Sequence, residues 1–358
     1  MILKTWERYF IFQTLKTFFL FIFCFYTLFV LIDYTTHLNY FHSSNSSFQW
    51  KTVFLYYLFD FVKHIEILIP FAVLISTVKT LTNLNVHNEL VALLASGLKL
   101  KRLLLPFILL GLFFTFLLYV NTEILLPNAL KELKTFSLAK ASASNKKSAK
   151  PILHLSLEDG STLIFQDYNS SEQHFTDSYW VRSIDDIYRI KFLYPKAIPE
   201  GHFVDHLIRD HEGRLMNRAS FDKITLNEMR FNKQTLFDSI TSAEEQSFSD
   251  LQAKLPAFSE IKSEKQAQLV TNFYYKLAMP WLCLLTVIAP TPFCVRFTRH
   301  LPLFMIYAWS IFGLVAFYIV MNSGLILGER QVVLPAIAIF VPFGLVLGIF
   351  GLRYLRLK

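Results

Sequence analysis

The chain has 358 residues, of which 53% are hydrophobic and 17% charged, against about 25% charged in an ordinary soluble domain, which argues against a purely cytosolic enzyme. The net charge is +8, but residues 127–269 hold 19 basic and 20 acidic side chains while the rest hold 16 and 7. A basic excess confined to apolar stretches fits cations flanking a membrane rather than a nucleic-acid face.

Apolar stretches recur at 10–32, 53–78, 103–126, 273–295, 301–325 and 332–352. Each approaches or exceeds the roughly 20 residues a helix needs to cross a bilayer. The first is too long for a secretion signal, and no small-residue cleavage site follows it. A retained helix is expected there. The second is punctuated by Asp60, Lys63, His64 and Glu66. Asp60 and Lys63, and Lys63 and Glu66, are three apart and can pair on one helix face. Polar groups at that depth face a cavity or a partner. The cluster reads either as a cavity wall toward an anionic head group or as a self-neutralised helix contact. Cys24, Cys283 and Cys294 lie in or beside apolar runs without CxxC spacing, which leaves neither a disulfide framework nor a thiolate zinc site.

Between the second and third stretches, residues 85–97 read as a short amphipathic helix. Asn85 or Asn88 can cap it, Glu89 suits its first turn, and Gly97 suits its stop. Val86, Leu90, Leu93 and Leu94 fall on one face. Such a helix lies on the membrane or docks on a partner, and composition does not choose between these.

After the third stretch the pattern changes. Residues 137–150 form a Ser/Ala/Lys linker. Residues 152–157 alternate, 158–161 turn, and 162–165 return, a hairpin signature. Residues 188–194 read as a strand, and 202–209 and 215–221 as a second hairpin. The expectation is an antiparallel sandwich or open jelly roll. Its candidate interior is Ile152, Leu153, Leu155, Leu157, Phe203, Val204 and Leu207. Such an interior can shield acyl chains, and its edge can extend a neighbour's sheet. His202 and His206 are four apart, which on a strand is about 13 Å. Polar strand faces, not a metal site, are expected. Residues 239–268 are polar and irregular, leading by a short helix into the fourth span.

Orientation follows from the cations. One set of ends and short loops carries Lys4, Arg8, Lys79, Lys99, Lys101, Arg102, Arg296, Arg299, Arg353, Arg356 and Lys358. The opposite short loops carry Lys51 and Arg330. By the positive-inside rule both termini are cytoplasmic and the polar segment lies outside. The organisation read from the sequence is three helices (1–126), an extracytoplasmic β domain (127–269) and three helices (270–358).

Four stretches carry a family resemblance: Arg8-Tyr9 with Asp33; Ile69-Pro70 followed by Asn88-Glu89-Leu90-Val91-Ala92-Leu93 and Ala95-Ser96-Gly97; Glu123 with Pro127; and Tyr275 to Pro280 with Asn322, Gly324, Leu327-Gly328 and Leu334-Pro335. In these the chain resembles the LptF/LptG permeases of lipopolysaccharide export, and Asp33 leans toward the LptG side. The resemblance implies a six-span membrane fold with a β-jelly-roll domain, in the inner membrane. It also implies a paralogous permease, a pair of ABC ATPases (LptB-like) that use ATP and Mg, and a single-span jelly-roll partner (LptC-like). Lipopolysaccharide would be taken from the membrane and passed to a periplasmic bridge.

On that footing Glu89, Asn88, Leu90, Leu93 and Leu94 would couple to the ATPase. No GxxxxGK[ST] is present, and this chain is expected to bind no cofactor and to catalyse nothing itself. Cations near the cavity exit would meet head-group phosphates: Lys131, Lys134, Lys63 and, when protonated, His37. The LptG-type cations near the outer end of span one are missing, since 30–37 reads Val-Leu-Ile-Asp-Tyr-Thr-Thr-His. A membrane-anchored enzyme would need a nucleophile–base constellation in the β domain, and none stands out. A MacB/FtsX-like subunit would have one helix before its external domain, and a secondary transporter would not normally carry a central sheet.

Overall fold

The computed structural model describes residues 4–42, 50–130, 132–133, 153–157, 161–165, 167–169, 174–195, 198–209, 214–229, 246–255, 264–295 and 302–356. The chain divides into a helical unit (Met1–Ser144 and Ala243–Lys358) and a β unit (Asn145–Ser242).

The long apolar runs form helices, with Pro70, Pro106 and Pro342 inside them. The helices are α1 (Thr5–His42), α2 (Trp50–Val86), α3 (Glu89–Ala95), α4 (Leu100–Val120), α5 (Phe248–Ala253), α6 (Glu264–Ala278), α7 (Leu282–Ile288), α8 (Thr291–Cys294), α9 (Leu303–Glu329) and α10 (Pro335–Leu355). The more polar α5 and α6 lead into the fourth span. Five spans are long and apolar enough to cross a membrane: Thr5–Thr36, Leu100–Leu130, Gln266–Cys294, Leu303–Glu329 and Pro335–Leu355. The sequence reading counted α2 as a sixth. It is one helix of 37 residues, about 55 Å long at 1.5 Å per residue. It carries Asp60, Lys63, His64 and Glu66 in its first half.

The fourth span is segmented. A 3₁₀ turn at Met279–Trp281 separates α6 from α7, and Pro290 precedes α8. Where α6 gives way, the Tyr119 hydroxyl donates to the Leu277 carbonyl at 2.5 Å. Lipid offers no hydrogen bonds, so a carbonyl released from a helix ladder in a span needs a protein donor.

Apolar burial does not drive helices together in lipid, so close packing and interhelical hydrogen bonds must. Phe10, Thr14 and Phe18 recur every four residues on the buried stripe of α1, and the Thr14 hydroxyl lies 3.4 Å from that of Thr80. A Cβ at Gly324 would stand 2.5 Å from the Ala338 carbonyl oxygen, and one at Gly328 would stand 2.7 Å from Thr271 Cγ2. These glycines let α9 approach α10 and α6. Helix α2 packs on α1, α3, α4, α7, α8 and α9, which makes it the strut of the helical unit.

In the β unit the strands are β1 (Leu153–Ser156), β2 (Thr162–Phe165), β3 (Asp167–Asn169), β4 (His174–Ser183), β5 (Asp186–Tyr194), β6 (Glu200–Arg209) and β7 (Leu215–Thr225). They form one antiparallel sheet in the order β1-β2-β4-β5-β6-β7, with β3 pairing β4 beyond β2. Neighbours follow chain order, so the described strands make an open meander in place of a two-sheet sandwich. Both expected hairpins are present. Leu157, Leu163, Phe165, Phe175, Trp180, Ile190, Leu193 and Val204 form its core.

The interior reading needs one correction. Leu157 is in the core and Leu207 is half-buried, but Phe203 is 55% exposed. Successive strand residues face opposite sides, and Val204 takes the inner position. Phe203 also has a positive φ of 53°, and no partner faces it in the β5–β6 or β6–β7 register. Its ring lies 5.6 Å from the Lys191 ammonium. The register sets Leu153 opposite Phe165 and Leu155 opposite Leu163; the side chains of Leu153 and Leu155 lie outside the described residues.

Candidate functional site

At one end of α2 the chain turns in two residues. Helix α2 continues to Val86, so α3 is shorter than the expected 85–97 and starts at Glu89. Asn88 takes a left-handed conformation (φ 59°) and makes no side-chain cap. Asn85 does not cap α3 either. It is buried within α2, and its Nδ2 donates to the Cys294 carbonyl at 2.9 Å. The loop end of α2 is thereby tied to α8.

The far end of α3 closes as a Schellman motif. Gly97 N–H bonds Leu94 O at 2.9 Å, and Leu98 N–H bonds Leu93 O at 3.4 Å. Gly97 carries the positive φ of 89° that this closure requires. Leu90 is 1% exposed, and Leu93, Leu94 and Leu98 pack on the same core. The apolar stripe of α3 therefore anchors the helix to its own bundle. Of the five coupling residues named above, Leu90 is not available to a partner. Glu89 is half-buried and Val91 exposed. A long 3.5 Å contact joins the Tyr9 hydroxyl to Glu89 Oε1.

At the other end of α2, the expected Asp60–Lys63 and Lys63–Glu66 pairs are absent. Asp60 instead holds His64, whose Nδ1 lies 3.3 Å from Asp60 Oδ2 and 2.8 Å from the Asp60 carbonyl. The Tyr57 hydroxyl donates to Asp33 Oδ2 at 3.0 Å, and the Tyr26 hydroxyl donates to the Tyr57 carbonyl. The seam between α1 and α2 thus satisfies its own polar groups. Lys63 is left exposed, without an ion-pair partner among the described residues. Lys131 and Lys134 and the side chain of His37 lie outside the described residues.

Pro70 sits between the two ends, inside α2. Having no N–H, it frees the carbonyl of Glu66, four residues earlier. The Tyr318 hydroxyl of α9 donates to that carbonyl at 3.3 Å, and the Tyr318 ring stacks on Phe71 with centroids 6.0 Å apart. Tyr318→Phe is expected to lower thermal stability by about 1–3 kcal/mol, the cost of a buried acceptor left unsatisfied. Thermal unfolding in detergent, beside a Phe71→Leu control that keeps the hydroxyl, would show it.

Span three contains a π-helical turn, Asn121–Leu125, a feature frequent at functional sites. It carries Glu123, which accepts the Ser249 N–H at 3.1 Å and also the Ser249 hydroxyl. Lys276, buried in α6, donates to the Gln246 carbonyl at 2.6 Å. These bonds fasten α5, the short helix before the fourth span, to spans three and four.

The sequence matches one family model over nearly the whole chain. That model, lipopolysaccharide export system permease LptF/LptG, matches residues 8–356. The chain belongs to this family. Comparison with curated proteins returns no match. The permease is therefore a membrane transport subunit of the lipopolysaccharide export type, with the helices and antiparallel sheet of its family.

Several resembling residues of this permease now have physical roles. Glu123 and Lys276 fasten α5. Tyr275 donates its hydroxyl to Asn322 Oδ1 at 3.0 Å. Gly324 and Gly328 set helix spacing, and Pro70 creates the carbonyl that Tyr318 satisfies. Sequence reasoning missed Tyr318 and Tyr119, and it gave Asn85 a cap where its amide meets the Cys294 carbonyl. A proline in a span signals an unbonded carbonyl four residues earlier, but the donor that meets it comes from a distant helix.

Proposed function

We propose that the permease is the LptG-like member of an export complex, paired with an LptF-like paralogue and driven by LptB-like ATPases that use ATP and Mg. An LptC-like single-span partner completes the complex and receives lipopolysaccharide toward a periplasmic bridge. Asp33 at the end of span one favours LptG over LptF. Both termini are cytoplasmic by the cation count, which puts α3 on the ATPase side and the β unit in the periplasm.

The observation that carries this reading is the continuity of α2. Its outer half presents Lys63 without an ion-pair partner among the described residues, and its inner end bears α3 and Glu89. Lys63 and Val86 are 23 residues apart, about 35 Å of helix at 1.5 Å each. Movement of α3 by an ATPase would reach the head-group end through one packed element. The stitch at Tyr318 and the Asn85 tie keep that element registered on α8 and α9. Lys63 would pair with a phosphate of the exported lipid, while the apolar face of the sheet would shelter acyl chains on departure.

The test is reconstitution of the complete complex in proteoliposomes with ATP-driven lipopolysaccharide release as readout. Lys63→Glu is expected to cut release by about tenfold or more, since reversing a charge at a desolvated contact costs several kcal/mol. Unchanged release at physiological salt would remove Lys63 from the lipid path. No release by the wild-type complex would remove the export reading.

A further inference from the structure

In the helical unit a cleft of about 720 Å³ opens between α7, α8, α9 and α10. Its walls come from the first half of α9, the second half of α10, and Leu74 of α2. It therefore occupies the half of the membrane nearest the carboxyl-terminal end of α10, where Arg353, Arg356 and Lys101 gather. The volume falls within the roughly 300–1,000 Å³ of small-ligand pockets.

The lining side chains are apolar apart from Thr286, Ser310, Arg353 and the indole N–H of Trp309. The Thr286 hydroxyl is already committed to the Cys283 carbonyl at 2.8 Å. Arg353 stands at the rim, with its guanidinium 5.7 Å from the Phe293 ring centroid. At the other end of the cleft, Leu74, Leu314 and Phe317 carry no polar side-chain atoms. One end is cationic and the rest apolar, at the depth of one leaflet.

We propose that this cleft holds an acyl chain of an anionic phospholipid from that leaflet, with the lipid phosphate on Arg353. The charge complementarity selects a phospholipid over an apolar helix of a partner protein, which would leave the arginine facing hydrocarbon. The site is separate from Lys63, which lies in the opposite half of α2 from Leu74's end of the helix bundle, and it does not depend on which lipid is exported. It would make the neighbouring helices sensitive to the anionic lipid content of the bilayer.

Two side chains allow a direct test. Trp309 lines the cleft and is 69% exposed, so acyl-brominated lipids in the cleft quench its fluorescence. Gly313 also lines it, and a Cβ there meets nothing within 4 Å. Gly313→Leu would fill the cleft without a clash at its Cβ.

The experiment takes the purified full-length permease, in its complex, in nanodiscs titrated with brominated phosphatidylglycerol or brominated phosphatidylcholine. Trp309→Phe supplies the background from the other tryptophans. Phosphatidylglycerol should quench Trp309 at about fivefold lower mole fraction than phosphatidylcholine, the factor one cation near the surface contributes toward anionic lipid. Arg353→Gln should erase that preference, and Gly313→Leu should remove the high-affinity phase for both lipids. Equal quenching by the two lipids would overturn the proposal. So would a Trp309 that no brominated lipid reaches, which would place protein in the cleft. Loss of lipopolysaccharide release with the quenching pattern intact would overturn the export reading and leave this site standing.

Discussion

Glu89→Ala is expected to leave the permease folded and inserted while reducing ATP-driven lipid release at least about tenfold. The residue stands at the first turn of α3, half-buried, and among the described residues its side chain meets the Tyr9 hydroxyl at a long 3.5 Å. Losing that contact costs little stability, because a long hydrogen bond at a wet site contributes under about 1 kcal/mol. The helix itself is held by Leu90 from within and by the Gly97 closure, neither of which the substitution touches. Under the proposed coupling the carboxylate would face a cation on the ATPase, and that contact is different. Truncating one partner of a desolvated charge pair costs about 2–5 kcal/mol, enough for the tenfold loss. ATP hydrolysis and lipid release should be measured together. Hydrolysis that continues while release falls is the expected uncoupling. Release at the wild-type rate would show that Glu89 does not transmit the stroke.

Much of this architecture is legible in the sequence because spans and strands announce themselves by composition and period. The apolar stretches, the hairpins around 158–161 and 210–214, and the short helix after span two all come from local pattern. The misreadings have a common cause, which is that partner choice is not local. Asp60 and Lys63 are well spaced to pair, yet Asp60 takes His64, one residue further along the same helix. Asn85 has the right chemistry for a cap, yet α2 runs past it and its amide reaches a carbonyl 209 residues away. Phe203 and Val204 are both apolar, and which of them faces the core is settled where β6 meets its neighbours, since Phe203 takes a positive φ of 53° and pairs with neither β5 nor β7. Leu90 belongs to a stripe that reads equally well as a docking face or an anchor, and its burial decides for the anchor.

Gly324→Leu carries the largest expected effect on stability. The Ala338 carbonyl oxygen would be 2.5 Å from the new Cβ, and since that oxygen is backbone, no rotamer change relieves the clash. Helices α9 and α10 must then separate. Glycine in a helix interior is worse than alanine by about 0.5–1 kcal/mol, so the exchange gains a little helix propensity. Overpacking costs about 1–3 kcal/mol or more, and here the separation also disturbs the neighbouring Gly328–Thr271 approach. The clash wins. The matched control is Gly344→Leu on α10, where a Cβ meets nothing within 4 Å; it should gain propensity and keep its packing. Thermal unfolding of both variants in the same detergent distinguishes them. Equal stability of the two would show that α9 and α10 are not held by this contact.

The most direct measurement is affinity purification of the permease from its native membrane in mild detergent, followed by mass spectrometry of proteins and lipids. Recovery of an ABC ATPase, a second permease of the same family and lipopolysaccharide is the predicted result. Recovery of the chain alone, under conditions in which other ABC complexes stay assembled, would contradict it.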